Sequence, residues 1–122
     1  GLLLKSNRDA SRCLELRIES GMKRLSLVNL PMDVDPFWRE SCTNVGTPKN
    51  PGPDGIRVCE KPFLFKEGEV IDVKVVMDKD MVEIFIGERA AFTYRVYEKT
   101  EYEIGFMAQD GKVEFFDIEV VK

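Results

Sequence analysis

Apolar and polar side chains alternate with a period of two along Met81–Val96, and this alternation is the clearest structural signal in the chain. Val82, Ile84 and Ile86 fall on one face and Met81, Glu83 and Phe85 on the other. Beyond Gly87, Ala90, Phe92, Tyr94 and Val96 repeat the rhythm. Side chains that switch faces at every residue belong to strands, so the stretch predicts a hairpin in an antiparallel sheet with one buried face. The same reading applies to Leu14, Leu16 and Ile18, followed after Ser20-Gly21 by Leu25 and Leu27. A short strand is expected over Ile56–Cys59, and a longer one through Ile71, Val73, Val75 and Met77. Another runs through Ile104, Phe106 and Ala108 to an Asp110-Gly111 turn. A final strand is expected over Val113, Phe115, Phe116, Ile118 and Val120, where the phase shift at Phe115-Phe116 points to a bulge.

From Asn29 to Gly55 the period disappears. Pro31, Pro36, Pro48, Pro51 and Pro53 lie there with Gly46, Gly52 and Gly55, so no regular element is expected and the segment reads as a long functional or partner-covering loop. No stretch carries the three-to-four-residue apolar spacing of a stable amphipathic helix. The predicted architecture is all-β, a two-sheet antiparallel β-sandwich of concanavalin or lectin-like jelly-roll type. It has seven to nine strands in a single domain over residues 1–122, with the irregular Pro/Gly-rich segment at about 29–55.

A chain of 122 residues can bury roughly two-thirds of its unfolded surface, so its core needs no metal or disulfide staple. With 18 basic and 22 acidic side chains the net charge is −4, which argues against nucleic acid or an anionic membrane as a partner. The acidic excess lies in the second, strand-rich half, where it reads as a solvated sheet face. Cys13, Cys42 and Cys59 form no CxxC pair and the chain has no His, which leaves neither a zinc site nor a Cys-His nucleophile. The cysteines read as small apolar residues, with one bridge plus a free thiol as the alternative. Leu2–Leu4 is too short for a signal-peptide core or a membrane span, and a chain opening on Gly1 reads as an excised piece.

Little catalytic chemistry can be assembled from these residues. Glu83, Glu103, Glu114 and Glu119 are abundant carboxylates, but their outward strand positions beside Lys and Arg fit cross-strand charge pairs better than the acid and nucleophile of a glycosidase. Gly87 and Gly111 are isolated turn glycines and cradle no phosphate. The aromatic candidates for sugar stacking centre on Trp38, in Pro36-Phe37-Trp38-Arg39-Glu40, with Arg39 and Asn44 as its polar neighbours. The competing reading is that Phe37 and Trp38 anchor the loop. Tyr94 and Tyr102 are expected at core-facing positions and Tyr97 at a strand end. No catalytic residue, no metal ligand and no cofactor is expected.

Several of these features together resemble the C-terminal β-sandwich of glycoside hydrolase family 32, the invertases, levanases and inulinases. They are Asp78 after an alternating run, the Val82-Glu83-Ile84-Phe85-Ile86 core, a Gly turn with Ala91-Phe92-Thr93, then Arg95-Val96-Tyr97 and the Ile104–Ala108 strand. The resemblance covers about residues 69 to 121. The family's Asp-Arg-Ser-Ser opening stands here as Asp78-Lys79-Asp80-Met81, and the Pro-rich middle segment has no counterpart in it. The resemblance implies a non-catalytic module with a structural and domain-packing role, excised from the C-terminal part of a larger β-fructosidase acting on sucrose or fructans. Its hydrolysis would be done by a nucleophilic Asp and an acid/base Glu in a preceding five-bladed propeller. That propeller domain is the implied partner, with a homodimer or a glycan as further candidates. The parent is expected to be soluble, cytoplasmic or secreted. The alternative is a lectin-like carbohydrate-binding module using Trp38, Arg39 and Asn44. Beside these stand an oligomerisation sandwich pairing through its edge strands, and, least favoured, an independent enzyme.

Overall fold

The computed structural model describes residues 1–30, 55–96 and 103–122. Eight strands follow in chain order: β1 (Leu2–Ser6), β2 (Cys13–Glu19), β3 (Arg24–Leu30), β4 (Ile56–Pro62), β5 (Val73–Asp78), β6 (Met81–Ile86), β7 (Ala90–Arg95) and β8 (Glu103–Phe106). Among the described residues there is no helix. One antiparallel sheet has five strands in the order β4-β3-β2-β1-β8, and the other has three in the order β5-β6-β7.

The register places the two-residue alternation as expected. In the smaller sheet Val75 faces Ile84 and Ile84 faces Phe92, while Met77 faces Val82 and Val82 faces Tyr94, so these rows share one face. In the larger sheet Leu2, Leu16 and Leu27 line up across β1, β2 and β3. The two rows meet. Leu4, Leu14, Leu16, Leu25 and Leu27 pack in one buried cluster with Val82, Ile84, Ile86 and Phe92, and Tyr94 packs half-buried against it. The structure is therefore a two-sheet antiparallel sandwich whose core is the apolar layer between the sheets.

Polar contacts orient one sheet over the other. The ammonium of Lys5, buried on β1, donates across the layer to the carbonyl of Lys79 in the β5–β6 turn. At the opposite side Lys61 of β4 lies 5.6 Å from the centre of the Phe92 ring on β7, and the Arg89 guanidinium lies 3.8 Å above Phe63. The β7 side thus sits over β4 and the β5–β6 turn over β1, which leaves β8 outside the footprint of the smaller sheet. Ile104 and Phe106 are accordingly 42% and 45% exposed.

Two differences from the sequence expectation have physical causes. β1 escaped the alternation test because Leu2-Leu3-Leu4 is a continuous apolar run, and Lys5 bends out of register at φ 48° where the pairing of β1 with β8 shifts. The expected final strand has the opposite history. Residues 107–122 belong to no strand, and Val113, Phe116, Ile118 and Val120 are exposed, because alternation alone makes no strand without a neighbour that completes the ladder. Cys13 is buried and Cys59 half-buried. Tyr97, Tyr102, Cys42 and most of the Pro/Gly-rich segment lie outside the described residues.

Ile84→Ala opens a cavity in the inter-sheet layer and should cost about 2–5 kcal/mol, whereas Phe85→Ala on the outer face should cost under about 1 kcal/mol. Urea denaturation of both variants checks this, and a larger loss for Phe85→Ala than for Ile84→Ala would mean that β6 faces the other way.

Candidate functional site

The densest polar constellation lies on the outer face of the five-stranded sheet. Arg24 and Glu19 are cross-strand partners on β3 and β2, and Arg24 pairs in turn with Pro62 on β4, so the two charges sit side by side above the sheet. Arg24 grips Glu19 with two donors, Nε to Oε2 at 2.7 Å and Nη2 to Oε1 at 3.1 Å. Ser26, fully buried, donates its hydroxyl to the same Oε2 at 2.6 Å and accepts from Arg57 Nε at 3.2 Å. Glu60 closes the group, 3.4 Å from Arg24 Nη1 and 3.5 Å from Arg57 Nε.

This arrangement holds charge and transfers no proton. The Arg24 hydrogen bonds, with Ser26 and the charge of Arg57, push the Glu19 carboxyl down to about 2 despite its partial burial. Arg24 is pushed up by the same bonds. Asp9 is lowered by bonds from Ser11, and Glu69 by the backbone N–H of Lys66 and then Arg89. A glycosidase acid needs a carboxyl moved upward, so these three move in the wrong direction for that role. Next to the network Glu15 is buried and held bidentately by Arg17, with both contacts at 3.0 Å. The pairing was legible in principle, since both residues take outward positions on one strand. The sharing of Glu19 among β2, β3 and β4 was not.

A second cluster clasps the end of the smaller sheet. Arg89, in the Gly87–Arg89 turn, donates to Glu69 and to the carbonyl of Leu64 while stacking over Phe63. Phe63 packs on Phe65 with ring centres 4.7 Å apart. Beside it runs a depression open to solvent, lined by Ser20, Phe65, Lys66, Glu67, Glu69 and Lys112. Its side chains offer charge of both signs and no single anionic or cationic preference.

Of the carboxylates singled out from the sequence, Glu83 stands half-buried on the outer face of the smaller sheet, and Glu103, Glu114 and Glu119 are exposed along β8 and the C-terminal segment. The structure does not bring them together in one site. The sugar-stacking candidates Trp38, Arg39 and Asn44 lie outside the described residues. Among the described residues no three His, Cys, Asp or Glu side chains converge as metal ligands, and no helix is long and apolar enough to cross a membrane.

The third feature is apolar. Ile104, Phe106, Val113, Phe116, Ile118, Val120 and Val121 are each more than 40% exposed, and all lie on β8 or the segment that follows it. Free-standing domains seldom show so many large apolar side chains along one flank.

What the fold and these side chains define is a β-sandwich domain with a neutralised ionic outer face and an uncovered apolar flank. The chain belongs to the family described as glycosyl hydrolases family 32, C-terminal, whose model matches residues 41–122, about two-thirds of its length. The match takes in residues 41–68 as well, which the sequence resemblance had left aside. Domains of this family are parts of glycosidases and normally pack against a catalytic propeller domain. Comparison with curated proteins and with solved structures returns no match.

The depressed carboxyl of Glu19 makes a pH prediction. A folded-state pKa below the ordinary 4.5 gives stability that is full above that value and fades as pH falls toward about 2. Glu19→Gln should therefore lower stability at neutral pH by roughly 1 kcal/mol, after allowance for solvent screening, and its deficit should shrink as pH drops through that window. Urea denaturation of both proteins at pH 7 and at about pH 3 reads the gap, and a gap independent of pH would sink the account.

Proposed function

We propose that this chain is the non-catalytic C-terminal sandwich of a β-fructosidase of glycoside hydrolase family 32 type. Hydrolysis of sucrose or fructans belongs to a propeller domain outside the chain, and the sandwich packs on that domain and stabilises it. The observation that carries the reading is the family match over residues 41–122. Two structural features support it. The displaced carboxyls Asp9, Glu19 and Glu69 are all held ionised by donors, and none of these groups is poised to protonate a leaving oxygen. The apolar side chains along β8 and the C-terminal segment are the kind of surface an interdomain contact covers.

Incubation of the purified chain with sucrose, inulin and levan should release no fructose above the blank, as measured by enzymatic fructose assay. Release by the chain alone would overturn the proposal. Titration with the same fructans tests the binding reading: a measurable affinity that disappears in Trp38→Ala, with folding retained, would favour a carbohydrate-binding module over a packing domain.

A further inference from the structure

We propose that Arg89 and Glu69 form a clasp that holds the connector between β4 and β5 closed near neutral pH and lets it open in acid. One guanidinium, at the end of the smaller sheet, gathers three separated points of that connector: the Phe63 ring, the Leu64 carbonyl and the Glu69 carboxylate.

The connector runs from Phe63 to Asp72 and carries the chain from the larger sheet to the smaller one. Main-chain bonds fix its two ends. The Phe63 N–H donates to the Lys23 carbonyl after β2 at 2.8 Å, and the Asp72 carbonyl accepts from the Gly87 N–H at 2.7 Å. The middle has a weaker apolar hold. Phe65 and Ile71 are only half-buried against the core, and Leu64 and Val70 are 69% and 66% exposed. Polar bonds take over there. The Glu69 N–H donates to the Lys66 carbonyl at 3.1 Å across a turn in which Gly68 takes φ 71°, and the Lys66 N–H donates back to Glu69 Oε2 at 2.9 Å. That leaves Glu69 Oε1 for Arg89, whose own N–H donates to the Ile86 carbonyl at 3.2 Å. The two oxygens of one carboxylate thus join the connector's turn to the β6–β7 hairpin.

The charge on Glu69 makes the clasp reversible. The backbone N–H of Lys66, then the charges of Arg89 and Lys66, hold its carboxyl below the ordinary 4.5. A carboxyl lowered on folding stabilises the closed form above its ordinary pKa, and that contribution is lost as pH falls through the lowered one. Protonation removes the ionic partner of Arg89 and turns the bond from Lys66 N–H from a charge-assisted one into a neutral one. The charged groups around Glu69 are Lys66 and Glu67 on the connector, Glu88 and Arg89 on the β6–β7 turn, and Lys112 beyond β8, while the turn after β2 contributes the uncharged Ser20 and Gly21. Release has a local consequence. Arg89 leaves the face of Phe63, and the wall of the neighbouring depression, built from Phe65, Lys66, Glu69 and Ile71, moves with the connector.

Amide hydrogen exchange on the whole chain, corrected for the intrinsic pH dependence of exchange, tests this. The Lys66 and Glu69 amides should lose protection by about fivefold or more as pH falls, with a midpoint below 4.5, while the Ile84 amide in the central strand of the smaller sheet stays protected. Glu69→Gln should show the opened rates already at about pH 7 and abolish the pH step. Arg89→Met keeps an apolar stem over Phe63 while removing both donors, so it should raise the rates at neutral pH and shrink the step. Glu67→Gln should leave the step in place. A step that persists in Glu69→Gln, or one lost in Glu67→Gln, would place the titration elsewhere and refute the clasp. Unchanged neutral rates in Arg89→Met would show that Arg89 holds nothing closed. Loss of Ile84 protection in step with Lys66 and Glu69 would also overturn the proposal, because the whole sandwich would then be opening.

Discussion

The burial of one shared apolar layer is the constraint on which the rest of this structure depends. The three strands β5, β6 and β7 present Val75, Met77, Val82, Ile84, Ile86, Phe92 and Tyr94 on a single face, and that face needs a second sheet to remove it from water. The leucines of β1, β2 and β3 supply it. At roughly 1.5–3 kcal/mol for each large side chain fully buried, this layer outweighs any surface ion pair by a wide margin. Lys5 reaching across to the Lys79 carbonyl, and Arg89 stacking on Phe63, then decide how the two sheets are aligned over each other.

That alignment explains where the polar and apolar surfaces fall. Because five strands face three, the layer spans β1, β2, β3 and β4 and ends before β8. Away from the layer, the outer face of β2, β3 and β4 carries charge, and there Arg24 and Arg57 neutralise Glu19 and Glu60. At the overhanging end β8 and the segment after it carry exposed apolar residues.

The candidate site divides in the same way between local and distant causes. Glu15 with Arg17, two residues apart on one strand, could be paired on paper because a period of two puts both on the same face. Glu19 could not be matched with Arg57, since the two are separated by most of the irregular segment and meet only through the pairing of β3 with β4. The sugar-stacking proposal around Trp38, Arg39 and Asn44 rested on residue chemistry within a segment outside the described residues, and the polar geometry seen elsewhere neither uses nor replaces it.

Seven of the eight strands, the hairpin at Gly87 and the inward face of β6 and β7 were legible in the amino-acid order, because alternation with a period of two is a local property that any half-buried strand must carry. β1 was not, since a run of three leucines alternates with nothing and its strand exists only through pairing with β2 and β8. The reverse holds for Val113–Val120, which has the rhythm of a strand without a paired neighbour. Order along the chain decided which residues could line a sheet. Only the tertiary structure decided which strands stand side by side, because hydrogen-bonded pairing joins residues whose separation in sequence carries no trace of it.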